Sequence, residues 1–514
     1  MLNRKLRVGK RATPRFAAPP WDRDHPRWQE LDQTLPADHV ARQVVGALED
    51  FDLAELRASY SASGTAATDP LLMLRIVLIE LRRGRFRPQH WYQDTQENEA
   101  LKWAGFGIRP ARSAWYTFHD RMGPFLETWN RRVVEQSLEE EVTAGSEASL
   151  DGSAVEANAS RHRLVNETTL AKRQAELQAA CALDERGELL AEVPAWMART
   201  PLTRLYQSQR YERAKERLEQ LQAVNQRQDP SDRRDPKKIV VSTSDPEAAL
   251  GRDKLRVFRP LYNTQLVRDV GSPLILTYEV FAQPTDAGTL KPMLAKLAEI
   301  EGLDLKKLLV DAGYVTASNL ALVGEAGITL YGPWQENDYS RSKAEKPGAK
   351  PKLMAKDQFT WNPEEQVYVC PAGHQLTWIG QERRVQADGE VNVIHRYHCD
   401  PNDCCACPLA ARCTTNPQRG RSVKRSEHEP LVNAHRARMA TEEGKQIYKL
   451  RKQTVELGFA DLKEHRALRR FPRRGLERAR THLGLIILAH NLLVRHRSAV
   501  DRQTAETVAL NPAA

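Results

Sequence analysis

The order of apolar runs between residues 254 and 334 limits the fold more than any other feature. Two β-prone runs, "KLRVFRPLYNTQLVRDV" and "PLILTYEVFAQP", flank Gly271-Ser272, a pattern typical of a hairpin. The helical pattern "TLKPMLAKLAEI" follows, then the buried strand "KKLLVDAGY", the helix "ASNLALVGEAG" and the strand "ITLYGPW". A hairpin that continues as strand, helix and strand predicts a mixed α/β domain.

The N-terminal part of the chain has helical periodicity from Leu31 to about Glu140. Within it, "DPLLMLRIVLIELRRGR" opens on Asp69 as a predicted N-cap, with Pro70 at the first helical position. Its apolar run is interrupted by Arg75 and Glu80, so it is too short and too charged to cross a bilayer. We therefore expect an all-α domain here and no membrane partner.

Two polar stretches interrupt this pattern and are interpreted as insertions. The first is rich in Gln, Arg and Glu and carries a helical stripe that includes Tyr211, Ala214 and Leu218. The second loses periodicity and is dominated by Lys, Pro, Gly and Cys, and two helices, Lys445–Arg466 and Gly475–Arg497, are predicted after it. The predicted domains are a basic flexible arm (1–30), a helical DNA-binding domain (31–143), a catalytic core (144–334 and 441–498) with a helical insertion (161–240), a cysteine-containing insertion (335–440) and a flexible tail (499–514).

The net charge and the cysteine spacing limit the expected binding partner and cellular compartment. The 514 residues include 77 Lys and Arg against 67 Asp and Glu, a formal charge of +10, which favours a polyanion such as nucleic acid or an acidic membrane surface. No apolar segment follows the basic first residues, so a secretory signal is not expected. Five of the seven cysteines fall within fifteen residues, unlike a disulfide scaffold, which favours a reducing cytosol.

Two aspartates stand where an apolar strand meets a glycine-containing loop. Asp151 ends "EASL", and Asp311 ends "KKLLV". Catalytic and ligand groups gather at strand ends along one edge of an α/β sheet. Each aspartate taken alone is also explained as a turn residue, because Asp before Gly is a common turn signal.

A third carboxylate lies in the helical pattern "YKLRKQTVELGFADLKEHRALRRF". On one continuous helix, Lys452, Glu456 and Lys463 fall within roughly 40° of each other. A solvated ion-pair face explains this stripe equally simply. The apolar flank beside the stripe is Val455, Phe459 and Leu462. Converging with the two aspartates, Glu456 would complete a set of hard oxygen ligands for two Mg²⁺ ions in phosphoryl transfer.

An arginine-rich segment follows this helix. From Arg466 to Arg480 there are seven arginines and one acid, Glu477, a density suited to a DNA backbone. A solvated basic turn is the alternative, although Phe471-Pro472 is expected to hold the segment close to the core.

The cysteine cluster has the spacing of a metal site. Cys404, Cys407 and Cys413 supply three thiolates, and Cys370 in "VYVCPAGH" a fourth, for a tetrahedral structural Zn²⁺. Unmetallated thiols remain the alternative. Other donors nearby in the sequence are Cys399, Cys405, His374 and His398. A zinc ion here would fold the insertion rather than catalyse.

Three stretches together resemble a known family. "SLDGSAVEANAS", "LLVDAGYVTASNL" and "VELGFADLKEHRALRRFPRRGLERARTHLGLIILAHNLL" are similar to DDE transposases of bacterial insertion sequences, in the branch with a helical N-terminal domain and a cysteine cluster before the last catalytic helix. The resemblance covers residues 35–498. It implies an α/β fold with an RNase H-like mixed sheet flanked by helices, an all-α N-terminal domain and two insertions, two Mg²⁺ ions for which Mn²⁺ substitutes, and DNA cleavage and joining at terminal inverted repeats.

Residue roles carry over from this resemblance position by position. Asp151, Asp311 and Glu456 correspond to the three acidic ligands, and Lys463 to the phosphate-contacting lysine. The family's tyrosine and arginine are expected seven and four residues before the glutamate, where this chain has lysines. Those positions are Lys449 and Lys452, whereas Tyr448 and Arg451 lie one residue earlier. The geometry of a continuous helix favours Lys452 over Arg451 as the cation on the active face.

The remaining expectations concern DNA and the assembly. Trp334 in "YGPWQEN" is a counterpart of the aromatic residue that stacks on a flipped base in hairpin-forming relatives, or else a packing residue. The DNA-contacting arginines are expected to be Arg469, Arg470, Arg473 and Arg474. Double-stranded DNA is the expected partner, with a homodimer in the DNA complex, in the cytoplasm and associated with the nucleoid. The alternatives are an inactive DNA-binding protein on the same scaffold and a purely hydrolytic nuclease.

Overall fold

The computed structural model describes residues 13–188, 190, 192–228, 230, 233–253, 256–334, 353–385, 391–466 and 468–510. Its strands are β1 (Phe16–Ala17), β2 (Ala67–Thr68), β3 (Glu147–Glu156), β4 (Leu164–Val165), β5 (Val241–Ser242), β6 (Ala249–Arg252), β7 (Phe258–Asp269), β8 (Ile275–Phe281), β9 (Lys307–Leu309), β10 (Thr329–Tyr331), β11 (Thr360–Asn362), β12 (Val367–Val369), β13 (Gln375–Val385), β14 (Val391–Cys399) and β15 (Ser422–Ser426).

The α-helices of the same residues are α1 (Pro26–Thr34), α2 (Val40–Ala47), α3 (Ala54–Ala58), α4 (Pro70–Arg82), α5 (Pro88–Glu97), α6 (Glu99–Ala104), α7 (Arg112–Met122), α8 (Leu126–Glu139), α9 (Glu167–Glu185), α10 (Pro201–Arg227), α11 (Leu290–Ala298), α12 (Ala317–Glu325), α13 (Pro401–Ala406), α14 (Ala410–Cys413), α15 (Glu429–Ala440), α16 (Glu442–Gln453), α17 (Val455–Glu464) and α18 (Leu476–Leu510). Among these described helices, none combines the length and the apolarity that a membrane span needs.

A mixed sheet forms the centre of the molecule, which confirms the predicted α/β class. Its strand order is β10-β9-β3-β7-β6, and β8 also pairs with β7. The β7–β8 pair is the predicted hairpin, antiparallel throughout. The strand β3 pairs antiparallel with β7 on one side and parallel with β9 on the other. The helix α12 connects β9 to β10, which lie parallel, as the alternating pattern predicted.

The N-terminal helices and the sheet share one hydrophobic core through the long helix α18. Leu74 of α4 and Trp129 of α8 belong to the same buried cluster as Leu483 and Ile487 of α18. The start of α4 is as predicted, with Pro70 at its first turn, because the side chain of the N-cap before it accepts a hydrogen bond from the Leu71 amide at 2.7 Å. The helical region therefore docks on the sheet instead of standing apart from it.

Residues 13–30 differ from the arm predicted for residues 1–30. The helix α1 begins at Pro26, and the Trp21 amide donates to the Phe106 carbonyl at 3.1 Å. Trp21 and Trp28 pack against the main core, and this apolar burial holds the segment to the helical region despite its basic neighbours. The other part of that prediction, residues 1–12, lies outside the described residues.

The first insertion is helical, as predicted. The helices α9 and α10 pack against each other through a separate small core that includes Leu170 and Leu177 of α9. The predicted stripe Tyr211, Ala214 and Leu218 is buried in this core. Only one face of α10 is buried in this core, because in a helix with 3.6 residues per turn the intervening side chains point away from it.

The second insertion contains strands that the sequence pattern did not predict. They form an antiparallel sheet in the order β11-β12-β13-β14-β15. An aromatic group stabilises it: the ring of Trp361 lies 5.0 Å from that of Tyr368 and 5.3 Å from that of Tyr397. The contact of Trp361 with Tyr397 joins residues far apart in the chain, so a search for local apolar periodicity misses it.

The predicted helix Lys445–Arg466 is wrong as a single element, because it breaks into α16 and α17 at Thr454. This residue has φ −109° and ψ −92°, outside the helical region. Its hydroxyl donates to the Leu450 and Arg451 carbonyls, both at 3.1 Å, and Arg268 of β7 donates to its carbonyl at 2.5 Å. These side chains satisfy carbonyls that a continuous helix would use, so the turn bends.

The predicted tail at residues 499–514 is also wrong over its first part, because α18 continues to Leu510. Residues 499–510 include no glycine or proline to end the helix, and Arg502 reaches back to the Glu140 carboxylate at 3.9 Å. Residues 511–514 lie outside the described part of the chain.

Candidate active site

The two predicted aspartates lie level with each other on neighbouring strands. In the parallel pair β3–β9, Ser149 is opposite Leu309, and Asp151 and Asp311 each follow two residues later. Neighbouring strands are separated by about 4.8 Å, so both carboxylates reach the same edge of the sheet. The turn explanation holds as well, because each carboxylate accepts a hydrogen bond from the next amide, Gly152 N at 2.9 Å and Ala312 N at 2.7 Å.

Glu456 joins this edge from the first turn of α17, and an arginine connects it to Asp151. The Arg451 guanidinium lies 3.0 Å from Asp151 Oδ2 and 3.1 Å from Glu456 Oε1. The arginine is buried, whereas the Glu456 side chain is 48% exposed. Val455, Phe459 and Leu462 are buried beneath the helix, as predicted for its apolar flank. A cation therefore holds two of the three acids together.

Charges at this edge influence one another. Burial raises the pKa of the Asp151 carboxyl above its ordinary value; the Arg451 charge lowers it, and the negative charges of Asp286 and Asp311 raise it. Burial likewise raises the pKa of Tyr448 on α16, and the charges of Asp311, Glu456 and Asp151 all act on its hydroxyl. Tyr448 thus lies within electrostatic reach of all three predicted acids.

A fourth carboxylate, Asp286, was missed by the sequence analysis. Its Oδ1 accepts hydrogen bonds from Gln265 Nε2 at 2.7 Å and Asn263 Nδ2 at 2.9 Å. Gln265 in turn accepts from the buried Tyr314 hydroxyl at 2.5 Å. The signal was present, because Asp286, five residues after the end of β8, opens a second Asp-Ala-Gly triplet, the same three letters that follow β9 at Asp311.

Gly152 permits this arrangement. A Cβ at this position would lie 2.1 Å from Asp286 Oδ1 and 2.3 Å from Gln265 Nε2. A side chain here would have to displace Asp286 and Gln265, so the glycine after Asp151 lets Asp286 approach β3. The glycine that the sequence analysis took as a turn signal is needed for a close approach of side chains.

The two predicted lysines have different surroundings. Lys463 donates through its ammonium group to Ser153 Oγ, two residues beyond Asp151 on β3. Lys452, favoured on helical geometry, is exposed and makes no ion pair among the described residues. The break at Thr454 changes the helical phase, and this brings Arg451 to the acids in place of Lys452. The preference for Lys452 as the cation on the acidic face is therefore wrong.

The arginine-rich segment between α17 and α18 is tied to the core, as its Phe-Pro pair indicated. Phe471 is buried, and its amide donates to the Glu156 carbonyl at 2.9 Å. Arg470 and Arg474 donate to Asn158, at 3.3 Å and 3.0 Å. Two further arginines are engaged with acids: Arg469 pairs with Glu464, and Arg473 with Asp120.

Trp334 has packing contacts in the structure. It is half-buried against the second hydrophobic cluster, and Arg436 lies 5.4 Å from the centre of its ring. These contacts account for the residue as a packing residue, and nothing places it beside a base.

The cysteines of the second insertion converge. The four predicted thiols, together with Cys399, line one small cavity that His374 and Asp403 also reach. Burial raises the pKa of the Cys399 thiol to about 12, helped by the neighbouring Cys404. Cys405 is exposed and does not line the cavity. Every cysteine is a free thiol.

Neither cluster is arranged as a metal centre. Within the described part of the chain, no three His, Cys, Asp or Glu side chains are placed so that they could hold a metal ion. The carboxylates have the hard-oxygen chemistry that Mg²⁺ prefers, but Arg451 takes the position of a cation between two of them. The thiols have the donor chemistry of zinc without the coordination geometry.

The comparison with protein families supports the assignment suggested by these residues. A family model described as "Transposase DDE domain" matches residues 369–495. The matched segment includes most of the cysteine-containing sheet, Glu456 and Lys463, and ends within α18. No curated protein matches the chain in sequence. The family match supports a DNA-transposing enzyme of the DDE type, a family that uses divalent metal ions.

Proposed function

We propose that this protein is the transposase of a bacterial insertion sequence. It binds the terminal inverted repeats, cleaves the DNA at the element ends and joins them to target DNA by phosphoryl transfer with two Mg²⁺ ions. The observation that carries the proposal is the convergence of Asp151, Asp311 and Glu456, two from adjacent strands and one from a helix, on one edge of the central sheet.

The strand order supports the RNase H-like part of this proposal. An antiparallel run of three strands, β3, β7 and β8, is extended by two parallel strands, β9 and β10, on the other side of β3. Long segments leave this sheet at two points: the chain returns after β3 as strand β6, and after β10 as helix α17, which packs against β3 and β7. This is the arrangement expected for an RNase H-like core with two insertions.

The acids would hold the metal ions after Arg451 releases Asp151 and Glu456. When bound, two divalent ions supply activation of the attacking oxygen and stabilisation of the leaving oxygen. Water first attacks a phosphodiester at the element end, the bond from phosphorus to the 3′ oxygen breaks, and that oxygen takes a proton. The free 3′ hydroxyl then attacks a target phosphodiester and displaces its 3′ oxygen.

The chain's own cations would position the DNA. Lys463 lies beside Ser153, close to Asp151, where a phosphate next to the reacting bond would meet its ammonium group. Arg451, once turned away from the carboxylates, would provide a two-pronged phosphate contact. Tyr448 is within reach of the same edge. The exposed Lys452 and the arginines of the segment before α18 would follow the backbone further out.

The test is nicking and joining of an element-end duplex by the purified protein with Mg²⁺, repeated with Mn²⁺. Asp151→Asn, Asp311→Asn and Glu456→Gln should each abolish both steps while binding remains. Asp304→Asn, at a carboxylate 75% exposed and outside the site, serves as the control. Unchanged activity in the three site variants overturns the proposal. Binding without cleavage indicates the inactive scaffold, and nicking without joining a nuclease.

We also propose that Zn²⁺ organises the cysteine-containing insertion. Support comes from the shared cavity of Cys370, Cys399, Cys404, Cys407 and Cys413, and binding would require their side chains to turn towards one centre. Metal analysis of protein purified without chelator tests this, since absence of zinc removes the proposal.

Because two DNA ends must be joined, we further propose a homodimer in the DNA complex and a location at the nucleoid.

A further inference from the structure

A large open groove lies between the helical insertion and the arginine-rich segment before α18. Its volume is about 1180 Å³, and one wall is α10 while the other is built from residues 474–478. We propose that this groove binds the phosphodiester backbone of duplex DNA. The identification of the ligand as DNA rests on the proposed function, but the site is separate from the catalytic acids.

The helix α10 presents two different faces. Tyr211, Ala214 and Leu218 are buried against α9. The opposite face lines the groove with Tyr206, Gln209, Arg210, Arg213, Glu216, Arg217 and Gln220. From Tyr206 to Gln220 the stripe covers 14 helical steps, roughly 21 Å at 1.5 Å per residue, or about six base pairs of duplex. The sequence pattern indicated only the buried stripe.

The acids of the groove are already engaged. Asp120 forms ion pairs with Arg473 and Arg478, and Asp245 is buried and accepts a hydrogen bond from the Tyr262 hydroxyl at 2.8 Å. Glu247, from the loop before β6, accepts a hydrogen bond from the Leu476 amide at the start of α18 at 2.9 Å. Glu477, in the first turn of α18, pairs with Arg480 at 2.8 Å. On α10, Glu216 is the acid left facing the groove.

Most arginines of the groove are not engaged in ion pairs; among the described residues Arg478, which pairs with Asp120, is the exception. Arg210, Arg213 and Arg474 make no ion pair among the described residues, although Arg474 donates to the Asn158 carbonyl. The Nε atoms of Arg210 and Arg217 are buried and lack a hydrogen-bond partner in the described part of the chain. Guanidinium groups held close together without anions favour a ligand that brings negative charge, and phosphates match their geometry.

The electrostatics of Arg210 agree with this geometry. Burial lowers its pKa, and the nearby positive charges of Arg474, Arg213 and Arg163 lower it further. Arg163 comes from the turn after β3, so three chain segments bring cations to one place. A phosphate backbone would relieve their mutual repulsion.

The groove lies beyond the far end of the strand that carries Asp151. The other end of β3, Glu156, contacts Arg470, and the Asn158 carbonyl just beyond accepts from Arg474. The five steps along β3 from Asp151 to Glu156 span roughly 17 Å at 3.4 Å per residue, equivalent to about five base pairs. A duplex that has one end at the acids and follows the direction of β3 would reach the groove.

The experiment is fluorescence anisotropy of a labelled 40-base-pair duplex with the full-length protein, in EDTA and at several salt concentrations. The variant Arg210→Ala/Arg213→Ala should weaken binding about tenfold at 0.15 M salt and lower the salt slope by about 1.8, at 0.9 for each phosphate contact. Arg210→Lys/Arg213→Lys should restore most of the slope because it retains both charges. Lys172→Ala/Lys215→Ala removes two exposed charges of the same insertion and should bind as the wild type does.

The groove proposal is overturned if Arg210→Ala/Arg213→Ala leaves the salt slope and the affinity unchanged. It is also overturned if Lys172→Ala/Lys215→Ala loses as much affinity and slope as the arginine-to-alanine pair. If the alanine pair does not fold by circular dichroism, Arg213→Ala alone decides, since Arg213 is exposed and a loss of about 0.9 in slope is then expected. The two proposals fail separately. If the wild-type protein binds DNA and the arginine variants change the salt slope as expected, but the protein never cleaves, the transposase activity is refuted. If the protein cleaves and Arg210→Ala/Arg213→Ala binds normally, the groove proposal is refuted.

Discussion

The acidic edge and the cysteine cavity bring reactive side chains together in opposite ways. The three acids come from residues 151, 311 and 456, on two strands and a helix, and remain partly open to solvent. The cysteines come from residues 370–413, within one insertion, and close around a small cavity. The first cluster depends on strand register and one bridging arginine, and the second on local turns and burial. We therefore expect the positions of the acids to depend on backbone changes elsewhere in the fold. The reactivity of the thiols should depend on their protonation.

The largest expected effect concerns the thiols. With a pKa of about 12, Cys399 at pH 8 is about one part in ten thousand thiolate, whereas an ordinary thiol is about a quarter thiolate. In chelator-treated protein at pH 8, iodoacetamide should alkylate Cys399 at least ~10³-fold more slowly than the exposed Cys405. The rate should rise with pH, because only the thiolate reacts.

Mass spectrometry of the two peptides measures this ratio. Denatured protein provides the control, since both thiols should then react alike. Equal rates in the folded protein would show that burial does not protect the cavity.

The next effect tests the dependence of the acids on backbone approach. In Gly152→Ala the new methyl group would overlap Asp286 and Gln265, so the free energy of unfolding should fall by about 1–3 kcal/mol and Asp286 should be displaced. We expect nicking to fall about tenfold or more, because a small misplacement of catalytic groups is costly.

Gly313→Ala is the matched control beside the other aspartate, where a Cβ meets nothing within 4 Å. Its stability should change by less than about 0.5 kcal/mol. Urea unfolding and a nicking assay compare the two variants. Equal losses of stability and nicking in the two variants would mean that the glycine after Asp151 is no more closely packed than the glycine near Asp311.

The smallest expected effect concerns the bridging arginine. Arg451→Ala removes the cation that competes with a metal ion for Asp151 and Glu456, so Mn²⁺ should bind about fivefold more tightly in the absence of DNA, the scale of an ion pair of up to ~1 kcal/mol. Titration calorimetry measures the affinity. Lys452→Ala, one residue along, should leave it unchanged, and a reversal of the two results would restore Lys452 as the cation at the acids.

Prediction from sequence succeeded where one local signal decides the outcome. The N-cap of α4, the β7–β8 hairpin and the buried stripe of α10 each depend on neighbouring residues, and the structure has all three. The placement of Asp151 and Asp311 followed from the rule that strand ends share an edge. Prediction failed for the strands of the second insertion, which are stabilised by aromatic contacts between distant residues.

By itself, the sequence determined the β7–β8 hairpin and the strand, helix and strand that follow it, the three candidate acids and the grouping of the thiols, because hydrophobic period and residue chemistry are local properties. Only the tertiary structure decided that Arg451 and not Lys452 meets the acids, that Asp286 approaches through Gly152, and that α10 faces the arginine-rich segment. The physical reason is the same in each case. A contact made across the fold, such as that of Arg268 with the Thr454 carbonyl, changes the direction in which a side chain points.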